Sequence, residues 1–279
     1  LPTLGEENRA DFLVRPNSDL HASNDRKKTK LLRDDGDWPV YNHLNVGHFR
    51  FEHSRGVFTN ADFAAANAEL RRRKLKGARN TRSPFSTVFE HRGIEWLQDD
   101  GALPVLEPRI AFREVIHASN PRKVWAAVAP AKTLLTHKAP YLLFARGGLE
   151  DAAFLLAMMN SSVCDWYGHL FIGLNLNYFI LDTLPIPQHV PSDPRCRRAL
   201  ELAAFLATDG AEGAFGGWME LAATDHPDRD DAVAEIDGLA SLLYGLTEDQ
   251  LPLVWDDSRR DLARPALASV QLYRRKWSS

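Results

Sequence analysis

The densest run of charge in this 279-residue chain is ELRRRKLKGARNTR, which follows an alanine-rich stretch. It contains seven cations within twelve positions: Arg71, Arg72, Arg73, Lys74, Lys76, Arg79 and Arg82. Such a density of positive charge attracts the phosphate backbone of a nucleic acid, and each neutralised phosphate adds salt-dependent affinity. The run is also typical of a solvated helix face, and charge alone favours that interpretation. A weaker cluster, Arg26 to Arg33, is flanked by acids.

Two arginines on a predicted strand are further candidates for contact with DNA. Arg109 and Arg113 lie on one face of the segment RIAFRE, because side chains alternate along a strand. Arginine reads guanine, or binds phosphate, through paired hydrogen bonds. The same side chains could instead pair with Glu107 or Glu114, or cap a buried turn.

A third candidate lies in the distinctive stretch NLNYFILDTLPIP. Asn175 and Asn177 share a face if this stretch is a strand, and asparagine amides can read adenine. We predict Asn175 as a DNA contact and favour Asn177 as a turn residue that satisfies backbone groups. Phe179, Leu181 and Leu184 are expected in the core, and the prolines that follow end the strand.

Motifs for catalysis or cofactor binding are missing from the sequence. It has no GxxxxGK[ST] or GxGxxG phosphate loop, no HExxH, no CxxC and no GxSxG nucleophile elbow. The histidines show no metal-ligand spacing, and no pair of carboxylates can be assigned to nuclease chemistry. We therefore predict no catalytic, cofactor-binding or metal-ligating residues, and the chain is typical of a binding module.

Composition is that of a globular protein, with 44% apolar and 25% charged residues and a net charge of −3. Lys and Arg outnumber Asp and Glu by 17 to 15 in residues 1–100 and by 10 to 7 in 101–200, but are outnumbered 15 to 7 in 201–279. This asymmetry permits a nucleic-acid footprint on the first two thirds. Two cysteines outside any CxxC pair favour a reduced, cytoplasmic setting. No apolar run reaches membrane-spanning length, so no membrane partner is expected, and the start at Leu1 suggests a piece of a longer protein.

The elements that would position these residues indicate an α+β fold. Residues 1–37 are predicted to be a loop-rich, solvated segment. A mainly β region follows over 38–190, with strands in WPVYNHLNVGHFRFEH, PFSTVFE, RIAFREVI, KVWAAVAP and APYLLFAR. Two helices interrupt it: one begins at Asn60 and ends at Gly77, and one runs from Gly148 to about Gly168, with Asn160 in a capping role. Helices over 193–207, 215–223, 229–245 and 260–275 form a C-terminal subdomain, 191–279.

Four segments in order resemble one family. WPVYNHLNVGHF, PRIAFREVIHASNPRKVWAAVAP, LLAMMNSSVCDWYGHLFIGLNLNYFILDTLPIP and AEIDGLASLLYGLTEDQL are similar to blocks in the C-terminal target-recognition domain of large adenine-specific DNA methyltransferases. That family includes type IIG restriction enzymes and phage-defence methylases. The resemblance covers roughly residues 38–250.

The resemblance implies sequence-specific recognition of double-stranded DNA within a restriction–modification system. In the family an upstream domain binds S-adenosylmethionine and holds the flipped adenine with an Asn-Pro-Pro-aromatic motif. This chain lacks that motif, so the resemblance implies a non-catalytic specificity domain that works with an upstream methyltransferase domain of the same polypeptide. The parent is expected to methylate adenine, with or without cleaving DNA. Two alternatives stay open: an assembly domain of a phage-defence complex, and a self-contained enzyme such as a nuclease.

Overall fold

A computed structural model describes residues 1–117, 119–225, 228–255 and 265–278 and confirms the α+β class. The strands are β1 (Leu13–Asn17), β2 (Leu32–Arg33), β3 (Trp38–Tyr41), β4 (Thr59–Ala61), β5 (Arg109–Phe112), β6 (Ala126–Ala129), β7 (Leu134–Leu135) and β8 (Tyr141–Arg146). The helices are α1 (Ala22–Lys27), α2 (Phe63–Ala78), α3 (Pro84–Gln98), α4 (Leu149–Asn160), α5 (Ser162–Phe171), α6 (Tyr178–Asp182), α7 (Pro194–Thr208), α8 (Trp218–Leu221), α9 (Arg229–Leu243), α10 (Leu251–Trp255) and α11 (Leu267–Trp277). Short 3-10 helices lie at His43–Asn45, His53–Arg55, Pro104–Leu106 and Glu248–Gln250.

The main sheet has the strand order β1-β8-β5-β6, and each neighbouring pair is antiparallel. Side chains alternate between its two faces, as strand geometry requires. Val14, Ile110 and Leu142 face α4 and the C-terminal helices, whereas Ala111 and Tyr141 belong to a second cluster on the face of α3. The sheet is therefore buried on both sides, which explains why AAVA and the last three residues of RIAF are apolar, with Arg109 the buried exception.

A smaller sheet has the order β2-β4-β3-β7 and packs with α1 and α2. Its core includes Leu32, Trp38, Val40, Leu70 and Leu134, all buried. The side chain of Asp62 accepts a hydrogen bond from the Ala65 amide and caps α2. The predicted N-cap at Asn60 is therefore wrong by two residues, since Asn60 belongs to β4. The predicted end near Gly77 is confirmed.

The N-terminal segment and the C-terminal helices share the core of the main sheet. Leu4 and Phe12 lie in the same cluster as Ile110, Leu202 and Ile236. β1 pairs with β8 along its length, so the prediction of a solvated segment over 1–37 is wrong for this strand. α7 packs on α4, and α9 packs on α7 and α11. Hydrophobic packing thus crosses both predicted boundaries, 37/38 and 190/191.

Helices around 193–207 and 229–245 are confirmed as α7 and α9. The helix predicted over 215–223 is shorter, because only Trp218–Leu221 is helical. The last predicted helix, 260–275, corresponds to α11, which begins at Leu267. Residues 260–264 of that predicted range lie outside the described residues.

Two segments predicted as strands are helical. PFSTVFE lies in α3, where the Ser83 hydroxyl accepts a hydrogen bond from the Phe85 amide and Pro84 occupies the first turn. In NLNYFILDTLPIP, the Asn177 side chain accepts from the Ile180 amide and begins α6. Serine and asparagine caps favour helix starts, as does the proline that follows Ser83, and this local chemistry prevails over the weaker strand preference of aromatic residues. The first part of WPVYNHLNVGHFRFEH is β3, and the rest is a 3-10 turn rather than a second strand.

The predicted helix from Gly148 to Gly168 is broken at Ser161. The Ser161 hydroxyl accepts a hydrogen bond from the Cys164 amide and begins α5. Asn160 does not cap: its amide donates to the Ala126 carbonyl oxygen at 2.9 Å and accepts from the Ala126 amide at 3.2 Å. This buried side chain thus joins α4 to the edge strand β6.

Candidate nucleic-acid interface

The interface is organised by one end of the main sheet, where β1 and β5 end and β8 begins. Tyr141 is the register partner of both Asn17 and Ala111. The Phe112 amide donates to the Pro140 carbonyl oxygen at 2.9 Å. We call this region, defined by Asn17, Phe112 and Tyr141, the open end of the sheet.

Three cations of the basic run lie in the last turn of α2 and in the loop that follows it. Lys76, Arg79 and Arg82 are exposed, and within the described part of the chain none of their side chains makes a hydrogen bond or ion pair. The turn is ordered by Asn80, whose side chain accepts a hydrogen bond from the Arg82 amide at 3.1 Å. We call Lys76, Arg79 and Arg82 the cationic tip. Cations at a helix C-terminus also stabilise the helix dipole, but they remain able to bind phosphate there.

The other four cations of the run have partners within the protein. Each one holds α2 to a neighbouring element or to itself: Arg71 pairs with Asp100, Arg72 with Glu69, Arg73 with Asp25 and Glu69, and Lys74 with the carbonyl oxygens of Trp96 and Asp99. Hydrogen bonds from Arg72 and Arg73 lower the pKa of Glu69 to about 2. Burial lowers the pKa of Lys74, whose ammonium lies 4.3 Å from the centre of the Trp96 ring.

Arg109 lies in the interior rather than on the predicted DNA-facing side. Its guanidinium donates to Asp19 Oδ2 at 2.5 Å and to the Thr133 carbonyl oxygen at 2.8 Å. It also covers the Tyr141 ring at 4.6 Å. The Leu135 amide donates to the same oxygen, Asp19 Oδ2, at 3.0 Å. The ion pair between Arg109 and Asp19 connects the two sheets. Arg109 pairs with neither Glu107 nor Glu114, the two glutamates considered from the sequence.

Arg113 is half-buried at the end of β5. Its Nε donates to the Val46 carbonyl oxygen at 2.5 Å, and its guanidinium stacks on Trp125 at 4.3 Å. Burial lowers the pKa of Arg113. Arg113 therefore orders the turn after β3, with part of its surface left exposed.

Asn175 is exposed within a segment that the sequence did not single out as a surface feature. Over residues 170–179, which we call the apolar tongue, buried anchors alternate with exposed apolar side chains. Ile172 and Leu176 are buried, and Asn175 forms a bridge with Val115. Leu181 and Leu184 are buried as predicted, but Phe179 is 79% exposed, so the prediction that it fills the core is wrong. Because Asn177 starts a helix, the chain rotates and Phe179 points away from the core.

The apolar tongue reaches the open end, and so does Ser83, the residue that follows the cationic tip in the chain. Ser83, next to the tip, lines a cavity of about 170 Å³ together with Asn17 and Ser18. The hydroxyl of Ser18 lies beside that of Tyr178 in the tongue, and burial raises the pKa of Tyr178 to about 12. The Tyr178 ring also contacts the Phe112 ring edge-on, at 6.4 Å.

Further basic and imidazole groups lie near the tongue. Burial, with the charges of Arg113, Lys138 and His117, lowers the pKa of His43 to about 4. His21 stacks on His137 with ring centres 4.1 Å apart. Lys138 is exposed, and its charge acts on Glu114 as well. Sequence spacing could not group these residues, because they come from separate turns.

Within the described residues, no group of three or more His, Cys, Asp or Glu side chains is placed to hold a metal ion. Among the same residues, no helix has the length and apolarity needed to cross a membrane. No family model matches this sequence, and no curated protein matches it significantly.

Proposed function

We propose that this chain recognises double-stranded DNA as the specificity domain of a restriction–modification adenine methyltransferase. Catalysis would come from an upstream methyltransferase domain of the same polypeptide, which carries the S-adenosylmethionine. The observation that supports DNA binding best is the cationic tip, where three exposed cations at the end of α2 and in the ordered turn after it have no side-chain partner among the described residues. The assignment to the methyltransferase family depends on the resemblance of the four sequence blocks.

Charge distribution supports the same surface. The acidic excess belongs to residues 201–279, whose helices α9 and α11 are linked through α7 and α4 to the other face of the sheet. The tip, Lys138 and the partly exposed Arg113 lie on the first two thirds of the chain. Phosphate contacts from such cations fix the register of a protein on DNA, whereas contacts with base edges specify the sequence. Asn175, exposed beside the open end, is our candidate for a base contact.

A salt titration of duplex binding tests the proposal. The triple variant K76Q/R79Q/R82Q removes the tip, and K27Q/K28Q/K30Q removes three exposed cations of the acid-flanked cluster as a matched control. Measured by fluorescence anisotropy, we expect the tip variant to lose at least about tenfold in affinity near 100 mM NaCl and to reduce the slope of log K against log salt by roughly 2 to 3. The control should bind like the parent. Equal affinity and slope for all three proteins would refute the assignment of the tip.

Base reading needs a separate measurement. Selection from a randomised duplex pool should enrich one short motif that contains adenine, and Asn175→Ala should reduce that enrichment without changing the salt slope. A pool that binds but shows no enrichment would contradict sequence-specific recognition. Stable binding of the chain to a methyltransferase partner, with no duplex affinity, would instead identify an assembly domain.

A further inference from the structure

Two histidines from separate turns stack face to face at the start of α1. The rings of His21 and His137 have their centres 4.1 Å apart and their planes within 7° of parallel. His21 is the N-cap residue of α1, and His137 lies in the turn between β7 and β8. The backbones are joined as well, because the His137 amide donates to the Leu20 carbonyl oxygen at 2.7 Å. The stack therefore connects α1 to that turn.

Each ring accepts a hydrogen bond that only its neutral form can make. Nδ1 of His137 accepts from the Ala22 amide, and Nδ1 of His21 accepts from the Asn24 amide, both at 3.4 Å. The amides of a helix's first turn need such acceptors, because they have no partner within the helix. An imidazolium has two N–H donors and no acceptor, so protonation of either ring breaks its bond to α1.

The surroundings of the stack oppose a charge on both rings. Two imidazolium groups at this separation repel each other, and a positive charge at the N-terminus of a helix is unfavourable. Burial lowers the pKa of His137, and the charges of His21 and Lys138 lower it further. The folded protein therefore disfavours the doubly protonated stack.

Two carboxyl groups face the stack, and each has another cation beside it. Asp25 accepts a hydrogen bond from the His21 amide at 2.6 Å and also pairs with Arg73. Burial raises the pKa of Glu114, and the charges of His21 and Lys138 oppose that rise. Because both carboxyl groups are shared in this way, they do not neutralise two imidazolium charges.

We propose that the stack of His21 and His137 is a pH-sensitive joint, which holds α1 in place while the rings are neutral and releases it when both are protonated. α1 has only six residues, and short helices depend on contacts with the rest of the fold. The released state binds more protons, so docking of α1 is fully stabilised above pH 6.5 and is lost as the pH falls through the lowered pKa of His137. Release also separates Asp25, which α1 carries, from Arg73. Acid would thus change the charge that α2 presents.

Hydrogen exchange in the full chain tests the joint. The Asp25 amide donates to the His21 carbonyl oxygen, and the Lys28 amide donates to that of Asn24, so both amides report on α1. Their protection factors, corrected for the intrinsic exchange rate at each pH, are compared at pH 7.5 and pH 5. We expect a fall of about tenfold or more in the parent, with no such fall in α9. The control His91→Gln, which removes an exposed histidine of α3, should behave like the parent.

His21→Asn/His137→Asn is the variant that isolates the two rings. Asparagine caps helices well, has a side-chain acceptor and does not titrate, so we expect the protection of α1 to stay within about twofold between the two pH values. An equal fall in this variant and in the parent, or no fall in the parent, would overturn the joint. Carbon NMR signals of the two rings give a second test that needs no variant. Titration steps shared by both rings are expected, and two independent single-step curves would overturn the proposal.

Discussion

Two regions of the molecule use the same residue types in opposite ways. Between the sheets, Arg109 is buried against the Asp19 carboxylate, and its two terminal nitrogens also donate to the carbonyl oxygens of Pro104 and Thr133. At the open end, Arg79 and Arg82 are exposed and, within the described part of the chain, have no side-chain partner. The first group holds elements together, while the second is available for a ligand.

The same division occurs within a single helix. Arg73 and Lys76 lie less than one turn apart in α2, yet Arg73 bonds to Asp25 and Lys76 faces solvent. When one member of a buried ion pair is removed, the other remains as an uncompensated charge. When an exposed cation is removed, its surroundings stay solvated by water. The contribution of a cation to the stability of the fold therefore depends on its partner and on its burial.

The largest effect is expected from Arg109→Met. It would leave the Asp19 carboxylate buried without its counter-ion, so we expect the free energy of unfolding to fall by about 3–5 kcal/mol in urea titrations. Arg72→Met, which removes an exposed ion pair with Glu69, should lower the free energy of unfolding far less. Adding Asp19→Asn to Arg109→Met should restore part of the loss. A loss at Arg109 no larger than that at Arg72 would show that the buried pair is not structural.

Asn160→Leu should have the next largest effect. The leucine cannot accept the hydrogen bond of the Ala126 amide, which is buried in β6, and an unpaired buried polar group costs about 1–3 kcal/mol. The Ala126 carbonyl oxygen keeps the Phe49 amide as its donor. Asn177→Ala, which removes an exposed helix cap, should cost about 1 kcal/mol by comparison. Urea midpoints measured side by side check the order, and a reversed order would contradict the role of Asn160 as the joint between α4 and β6.

The stability of the folded protein is expected to depend on pH through His43. Because the pKa of His43 is lowered to about 4 in the folded protein, the unfolded chain binds more protons between pH 6.5 and 4. Stability from this group is therefore fully present above pH 6.5 and is lost as the pH falls through 4. Since the side chain is only half-buried, we expect a loss on the order of 1 kcal/mol. His43→Gln should flatten that part of the stability profile, and an unchanged profile would contradict the lowered pKa.

The smallest effect on stability is expected at the cationic tip. Within the described residues, K76Q/R79Q/R82Q breaks no side-chain hydrogen bond or ion pair, so its free energy of unfolding should stay within about 0.5 kcal/mol of the parent while its duplex affinity falls. Thermal and urea unfolding measure the first quantity, and anisotropy measures the second. A large loss of stability would mean that the three cations hold α2 and α3 together, and the contrast with Arg109 would disappear.

Much of the fold could be predicted from local sequence. Apolar and β-branched runs predicted β5, β6 and β8, and helical periodicity predicted α2, α7 and α9. The errors at Ser83, Ser161 and Asn177 have one cause, since each is a capping residue that starts a helix within a segment whose composition suggested something else. Such caps are visible in sequence, but their strength depends on what the new helix packs against.

The candidate site was predicted less well, because it depends on remote contacts. The sequence by itself determined the α+β class, the position of the basic run and the absence of catalytic motifs. The tertiary structure alone decided which cations of that run are exposed, because Asp25 and the end of α3 bind Arg73 and Lys74. It also decided that Phe179 faces solvent, because the cap at Asn177 turns the chain. Burial and ion pairing are set by partners far away in the chain, and no local pattern specifies them.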